Sequence, residues 1–145
     1  MTKEDKELLL RDLSARLLYG VVCYYETSDT SETIFGKLTF RGIESFTTNK
    51  PLVSEKDSNM VYFYKVISIK PYLRPMSSMT EEEEDLLAEL HCYYINNELS
   101  FSCGHSQNDI FDAIDWLLAH HFDYRGLIEK GLAIAVDESN NPYKE

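Results

Sequence analysis

Apolar positions recur along this chain with two different periods, and the switch between them divides it into three stretches. In the first, Leu9, Leu10, Leu13 and Leu17 fall at helical spacing, which predicts an amphipathic helix with those leucines on one side. Thr2 is placed to cap it, Glu4 and Asp5 complement the positive end of its dipole, and Gly20 ends it. From Val21 onward β-branched and aromatic residues dominate, in runs Val21 to Tyr25, Thr33 to Phe40 and Met60 to Ile69, which predicts three strands. The polar tract Thr27 to Glu32 reads as a hairpin connection, and Asn49-Lys50-Pro51 and Ser54 to Asn59 read as longer loops. Val61 to Ile69 has too little polar alternation for a strand with one wet face, so it is expected to be central or covered twice. Lys70-Pro71 is expected to stop it, and Tyr72 to Met76 to form a proline-fixed turn laid on the core.

The third stretch returns to helical spacing. Thr80-Glu81-Glu82-Glu83 has the form of a capping box opening a helix from Glu81 to about Leu90. Tyr93 to Cys103 fits either a short hairpin around Asn96-Asn97 or an irregular strap across the helices. Ile110, Phe111, Ile114, Leu117, Leu118 and His121 make one broad stripe, predicting a helix capped by Asn108 or Asp109 and running to about His120. Trp116 lies off that stripe, toward Asp109, Asp112 and Ala119, so the helix either touches protein on two sides or displays a tryptophan. Asp123 is expected to cap a last helix, Tyr124 to Lys130, with Gly131 as its left-handed end and Leu132 folding back toward Leu127. The pattern predicts an α+β fold: a small bent antiparallel sheet after an N-terminal helix, packed with two or three C-terminal helices. An SH3-like half-barrel is one topology this order allows. Residues 1–136 are expected to form a single compact domain and 137–145 a polar, frayed tail.

Charge changes the picture more than composition does. With 145 residues, 43% of them hydrophobic, the chain can bury one real core. Its net charge of −11 is uneven: residues 1–79 carry 11 basic and 10 acidic groups, residues 80–145 carry 3 and 15. An acidic C-terminal half repels phosphate backbones and disfavours general nucleic-acid binding, whereas a basic protein partner is easily accommodated. The charged opening Lys3 to Glu7 has no apolar signal region, and no run approaches the ~18 apolar residues of a membrane span. The expectation is a cytoplasmic protein without membrane association. Cys23, Cys92 and Cys103 show no disulfide-scaffold spacing, which fits a reducing compartment.

Candidate chemistry is sparse. His91-Cys92, Cys103-Gly104-His105 and His120-His121 supply soft ligands, but adjacent helical residues point ~100° apart and rarely chelate one ion. The alternative has His121 as a hydrogen-bonded boundary histidine and the cysteines as small hydrophobes. No Gly-x-Ser-x-Gly turn, no reacting geometry for Cys103 with His105 and no glycine-rich phosphate loop is present. The run Glu81 to Asp85 reads as a solvated, dipole-complementing face rather than a Mg2+ site. No catalytic residue, metal or cofactor is therefore assigned.

Aromatic residues make the better case. Ten tyrosines, seven phenylalanines and one tryptophan exceed what a small core must absorb, and tyrosine with tryptophan suits interfaces. Asp112, Trp116, Tyr124 and Arg125 form the candidate interaction surface. Its bland counterpart is a Trp116 covered by the Tyr93–Cys103 strap.

Three strings together carry a resemblance. Lys3-Glu4-Asp5-Lys6-Glu7-Leu8-Leu9-Leu10-Arg11-Asp12-Leu13 leads on to Tyr19-Gly20-Val21. The second runs Ile69-Lys70-Pro71-Tyr72-Leu73-Arg74-Pro75-Met76-Ser77-Ser78-Met79-Thr80-Glu81-Glu82-Glu83. The third joins Trp116-Leu117 to His120-His121-Phe122-Asp123-Tyr124-Arg125-Gly126-Leu127-Ile128-Glu129-Lys130-Gly131-Leu132-Ala133. Covering somewhat less than half the chain, they resemble a group of small proteins of gut Bacteroides-type bacteria, often encoded near prophage or other mobile elements. The resemblance implies a bacterial, intracellular, mobile-element context and no activity.

The first functional expectation is a non-enzymatic accessory protein that binds another macromolecule, a protein in particular, through its acidic helical half. The second is a small ligand-binding domain or enzyme with a pocket between sheet and helices, lined by Tyr62 or Tyr64, with Arg74 or Arg125 reading an anion. A third, nucleic-acid binding by Lys37, Arg41, Lys65 and Arg74, requires those four on one exposed face. For both arginines the plain alternative is pairing with helix carboxylates to hold two elements together.

Overall fold

A computed structural model describes the backbone of residues 2–27, 34–43, 51–54, 62–63 and 66–144, and the side chains of 2–24 and 69–144. The fold is α+β. Helix α1 spans Lys3–Ala15, and Thr2 and Asp5 close its start reciprocally: the Thr2 hydroxyl accepts the Asp5 N–H at 3.1 Å and the Asp5 carboxylate accepts the Thr2 N–H at 3.3 Å. Leu9 and Leu13 are buried as expected, but Leu17 enters a 3-10 turn, Leu17–Tyr19, and is largely exposed. Gly20, at φ 66°, turns the chain out of it.

The strands β1 (Val22–Thr27), β2 (Ile34–Ile43), β3 (Pro51–Ser54), β4 (Tyr62–Phe63), β5 (Val66–Leu73) and β8 (Ile134–Ala135) make one sheet in the order β4-β3-β2-β1-β5-β8. Every pairing is antiparallel except β5 with β8, so the sheet is mixed rather than purely antiparallel. Register shifts at Glu26/Thr27 and Phe40/Gly42 supply local bends. This ladder is open, and the SH3-like closure is not among the pairings it shows.

Three sequence expectations fail in the sheet. Pro51 and Ser54, expected in two loops, are the ends of strand β3. The single strand expected over Met60 to Ile69 is divided between β4 and β5. Pro71 does not stop the third strand; it lies buried inside β5 opposite Cys23, and pairing with β8 begins one residue later at Tyr72. Proline costs a ladder bond only where its nitrogen faces a partner strand.

Helix α2 spans Glu81–Glu89 under the expected Thr80 and Glu83 capping box. The Tyr93–Cys103 ambiguity resolves as a hairpin, β6 (Cys92–Ile95) and β7 (Glu98–Phe101), turning on Asn96 and Asn97 at φ 53° and 63°. Such left-handed pairs match hairpin twist, and asparagine tolerates them. Helix α3 spans Gln107–Ala119 and is capped by Ser106, not by Asn108 or Asp109. Asp109 is instead the third residue of that box, its carboxylate accepting the Ser106 N–H at 2.9 Å and meeting His91 Nδ1 at 3.1 Å.

The buried face of α3 departs from the expected stripe at Phe111. Ala113, Leu117 and Leu118 are buried, Phe111 is 55% exposed, and Trp116 is half-buried against the core. At ~100° per residue, centring the face on Leu117 leaves Phe111 about 120° away and brings Trp116 to its edge.

After α3 the expected helix Tyr124 to Lys130 is replaced by turns, and Gly126 at φ 76° breaks helical continuity. Its flanking signals hold: the Asp123 carboxylate accepts the N–H groups of Leu127 and Ile128, Gly131 is left-handed, and the Leu132 N–H bonds the Leu127 carbonyl at 2.9 Å. Two cores result. One gathers Leu9, Leu13, Val21, Cys23, Leu73, Leu127, Leu132 and Ala133; the other gathers Met76, Leu87, Cys92, Ala113, Leu117 and Phe122.

Residues 137–144 return to the fold rather than fray. Tyr143 donates its hydroxyl to the Tyr72 carbonyl at 2.7 Å, accepts the Val22 N–H at 3.1 Å and stacks on His121 at 3.6 Å.

Candidate functional site

Between the two cores lies a buried charge cluster that sequence reasoning missed. Asp12 and Arg16 are both 0% exposed. Arg16 donates from Nε and Nη2 to the two Asp12 oxygens at 2.7 and 3.2 Å, and from Nη2 to the Phe122 carbonyl at 2.7 Å. Its Nη1 is buried with no hydrogen-bond partner among the described residues. Arg125 Nε approaches Asp12 at 3.5 Å and donates to the Tyr124 hydroxyl at 3.2 Å. The signal was available: Asp12 and Arg16 continue the helical stripe of Leu9 and Leu13, and charges on an apolar stripe are buried in pairs or not at all.

Arg74 illustrates the plain alternative. Its guanidinium grips Glu83 at 2.7 and 2.9 Å, lies over the Phe122 ring at 4.0 Å, and thereby ties β5 to the start of α2. The Arg74 hydrogen bond holds the Glu83 carboxyl well below its ordinary range, at about 2. Phe122 stacks in turn on Trp116 at 5.7 Å, and Trp116 on His120 at 4.1 Å. A column Arg74–Phe122–Trp116–His120 thus covers one side of the tryptophan, and no strap is needed to do so.

The proposed interaction residues consequently occupy different settings. Asp112 is exposed on α3, Trp116 is half-buried in the column, Tyr124 packs against the second core, and Arg125 reaches Asp12. Of the alternative pocket, Arg74 is committed to Glu83, while the side chain of Tyr62 and the whole of Tyr64 lie outside the described residues. Lys37, Arg41 and Lys65 fall outside the described side chains as well.

What the structure assembles instead is a face made by α2 and the β6–β7 hairpin, which are in contact. Glu81, Glu82, Glu84, Asp85 and Glu89 are exposed on α2, and beside them Leu86 is 49% and Ile95 54% exposed, with Tyr93 and Tyr94 also open to solvent. Residues 75–124 contain eleven carboxylates and no lysine or arginine. Two clefts flank the hairpin and share Met76, Ser77, Tyr94 and Asn97. One, of about 620 Å3, lies between Glu84 and Leu87 of α2 and Tyr93 and Ile95 of the hairpin. The other, of about 580 Å3, lies between the hairpin and the 123–130 turns.

Among the described residues no group of three or more His, Cys, Asp or Glu side chains could hold a metal ion, and no helix is long and apolar enough to cross a membrane. Comparison with family models, with curated proteins and with solved structures gives no match.

Proposed function

We propose that this protein is a non-enzymatic interaction protein that docks a basic, apolar-bearing segment of another protein on the face formed by α2 and the hairpin. The observation that carries the reading is the cleft that brings Glu84 of α2 together with Tyr93, Tyr94 and Ile95 of the hairpin, all four of them exposed. Carboxylates steer a cationic partner and set its orientation, while the aromatic and aliphatic side chains supply the area from which affinity comes. Exposed apolar groups rimmed by charge are the ordinary composition of such a surface. The left-handed asparagine turn holds Tyr94 and Ile95 in one geometry, which lowers the entropy lost on docking. On the resemblance to mobile-element proteins, the partner is expected among the host components that an accessory protein of a prophage or mobile element would meet in a bacterial cell.

The test is affinity capture from a bacterial lysate, identification of the retained protein, and titration of that purified partner against variants. Ile95→Ser with Tyr93→Ser, and separately Glu82→Lys with Glu84→Lys, should each weaken binding about tenfold or more, and salt should weaken it further. A purified partner that binds both double variants as tightly as the parent, or capture of duplex DNA in its place, refutes the reading.

A further inference from the structure

The 580 Å3 cleft on the other side of the hairpin has a different character. Between residues 75 and 143 the chain has two cationic side chains other than histidine, Arg125 and Lys130, and both line it. Arg16 and Arg74 are each held by two bonds to a carboxylate. Arg125 is not: its hydrogen bond and its ion-pair approach both run through Nε, so among the described residues Nη1 and Nη2 make no hydrogen bond. Lys130 is exposed and forms no salt bridge among them. Two cations with unspent donors therefore line one opening, and Lys130 also lines a neighbouring cleft with Asp5 and Lys70.

The rest of the lining narrows the ligand. Tyr94 and Tyr124 are the two aromatic residues among those lining the cleft. Asp123 has both carboxylate oxygens committed to the Leu127 and Ile128 N–H groups, whereas Glu129 is exposed and available as an acceptor. Arg125, Lys130, Asp123 and Glu129 sum to no net charge, a lining that suits a ligand carrying one anion and one cation better than a dianionic phosphate ester. The volume falls in the ordinary range for small-molecule sites, on the order of 300–1,000 Å3.

We infer that this cleft binds a zwitterionic aromatic molecule, an aromatic α-amino acid or a dipeptide carrying one, with its carboxylate on Arg125 and Lys130, its ammonium at Glu129 and its ring against Tyr94 and Tyr124. A bidentate guanidinium edge recognises a carboxylate by geometry as well as charge. This site shares Tyr94 with the acidic docking face, but its charged groups, Arg125, Lys130 and Glu129, are not part of that face.

Isothermal titration of the full chain at low salt tests it with L-tyrosine and with glycyl-L-tyrosine, which distinguish a free amino acid from a peptide. Tyramine lacks the carboxylate, 3-(4-hydroxyphenyl)propionate lacks the ammonium, and AMP supplies the dianionic alternative. One of the two zwitterions should bind with a Kd below about 1 mM. Tyramine should bind at least tenfold more weakly, as should the best zwitterion to Arg125→Gln and to Lys130→Met. Lys130 is exposed, so Lys130→Met keeps the test interpretable if Arg125→Gln lowers the melting midpoint. The inference is overturned if neither zwitterion binds below that limit, if tyramine, the propionate or AMP binds as tightly, or if folded Lys130→Met binds unchanged.

Discussion

His121 shows how far burial alone can decide a residue's chemistry. It adopts φ 62° directly after the cap of α3, stacks on Tyr143, and leaves a buried Nδ1 without a partner among the described residues. Desolvation, with Arg16, His120 and Arg74 adding positive charge nearby, lowers its pKa from an ordinary 6.5 to about 4. The expected boundary histidine with a hydrogen bond is thus a desolvated one instead. Because the unfolded chain takes up this proton first, stability contributed by neutral His121 is complete above pH 6.5 and is lost as pH falls toward 4. The Glu83 carboxyl acts in a lower window, losing its contribution as pH falls from 4.5 toward 2. In His121→Asn, which keeps a residue tolerant of positive φ, urea titrations should show the pH 6.5 to 4 slope reduced by on the order of 2 kcal/mol. An unchanged slope would assign it to other groups.

Elements were legible where a few neighbouring residues specify them. The Thr80–Glu83 box and the Gly131 turn rest on interactions within about six residues and appear where the local pattern placed them, and the hairpin at Asn96-Asn97 is one of the two readings that pattern left open. The last helix failed for an equally local reason, since Gly126 at positive φ interrupts it. The hairpin turn yields a direct prediction. Asn97 sits at φ 63°, so Asn97→Gly should be neutral or slightly stabilising, whereas β-branched Asn97→Val should cost ~1–2 kcal/mol, read from denaturant midpoints. Equal stability of the two variants would mean that the turn relaxes freely. Since the proposed docking face and both clefts share this hairpin, Asn97→Val should also weaken the proposed binding at each.

At the scale of the molecule, two cores meet across Asp12 and Arg16. Asp12 lies in α1 and Arg16 caps its C-terminal end, and Arg16 reaches the Phe122 carbonyl at the edge of the second core, so one side chain joins regions more than a hundred residues apart in sequence. Truncating Arg16 leaves a buried carboxylate facing Arg125 alone at 3.5 Å. Arg16→Met should therefore destabilise the protein by about 3–5 kcal/mol, while the double change Asp12→Leu with Arg16→Met should recover much of that loss. Chemical denaturation of the three proteins measures both; a double variant no better than the single would show that packing, not charge, holds the junction. Tyr143 clasps the same region from the C-terminal end by bonding to β1 and β5 together.

Sequence by itself determined the α+β class, the Thr2 and Thr80 helix caps, the N-terminal strand pair and the strong charge asymmetry, because periodicity, capping and turn chemistry act over a few residues. Tertiary structure alone decided that Pro71 sits inside a strand, that α3 turns Phe111 outward and Trp116 toward Phe122, that Tyr143 closes over His121, and that Arg125 and Lys130 share a cleft. Each of those depends on what another element places opposite the residue, and long-range packing overrides local preference whenever the area it buries is worth more than the preference it violates.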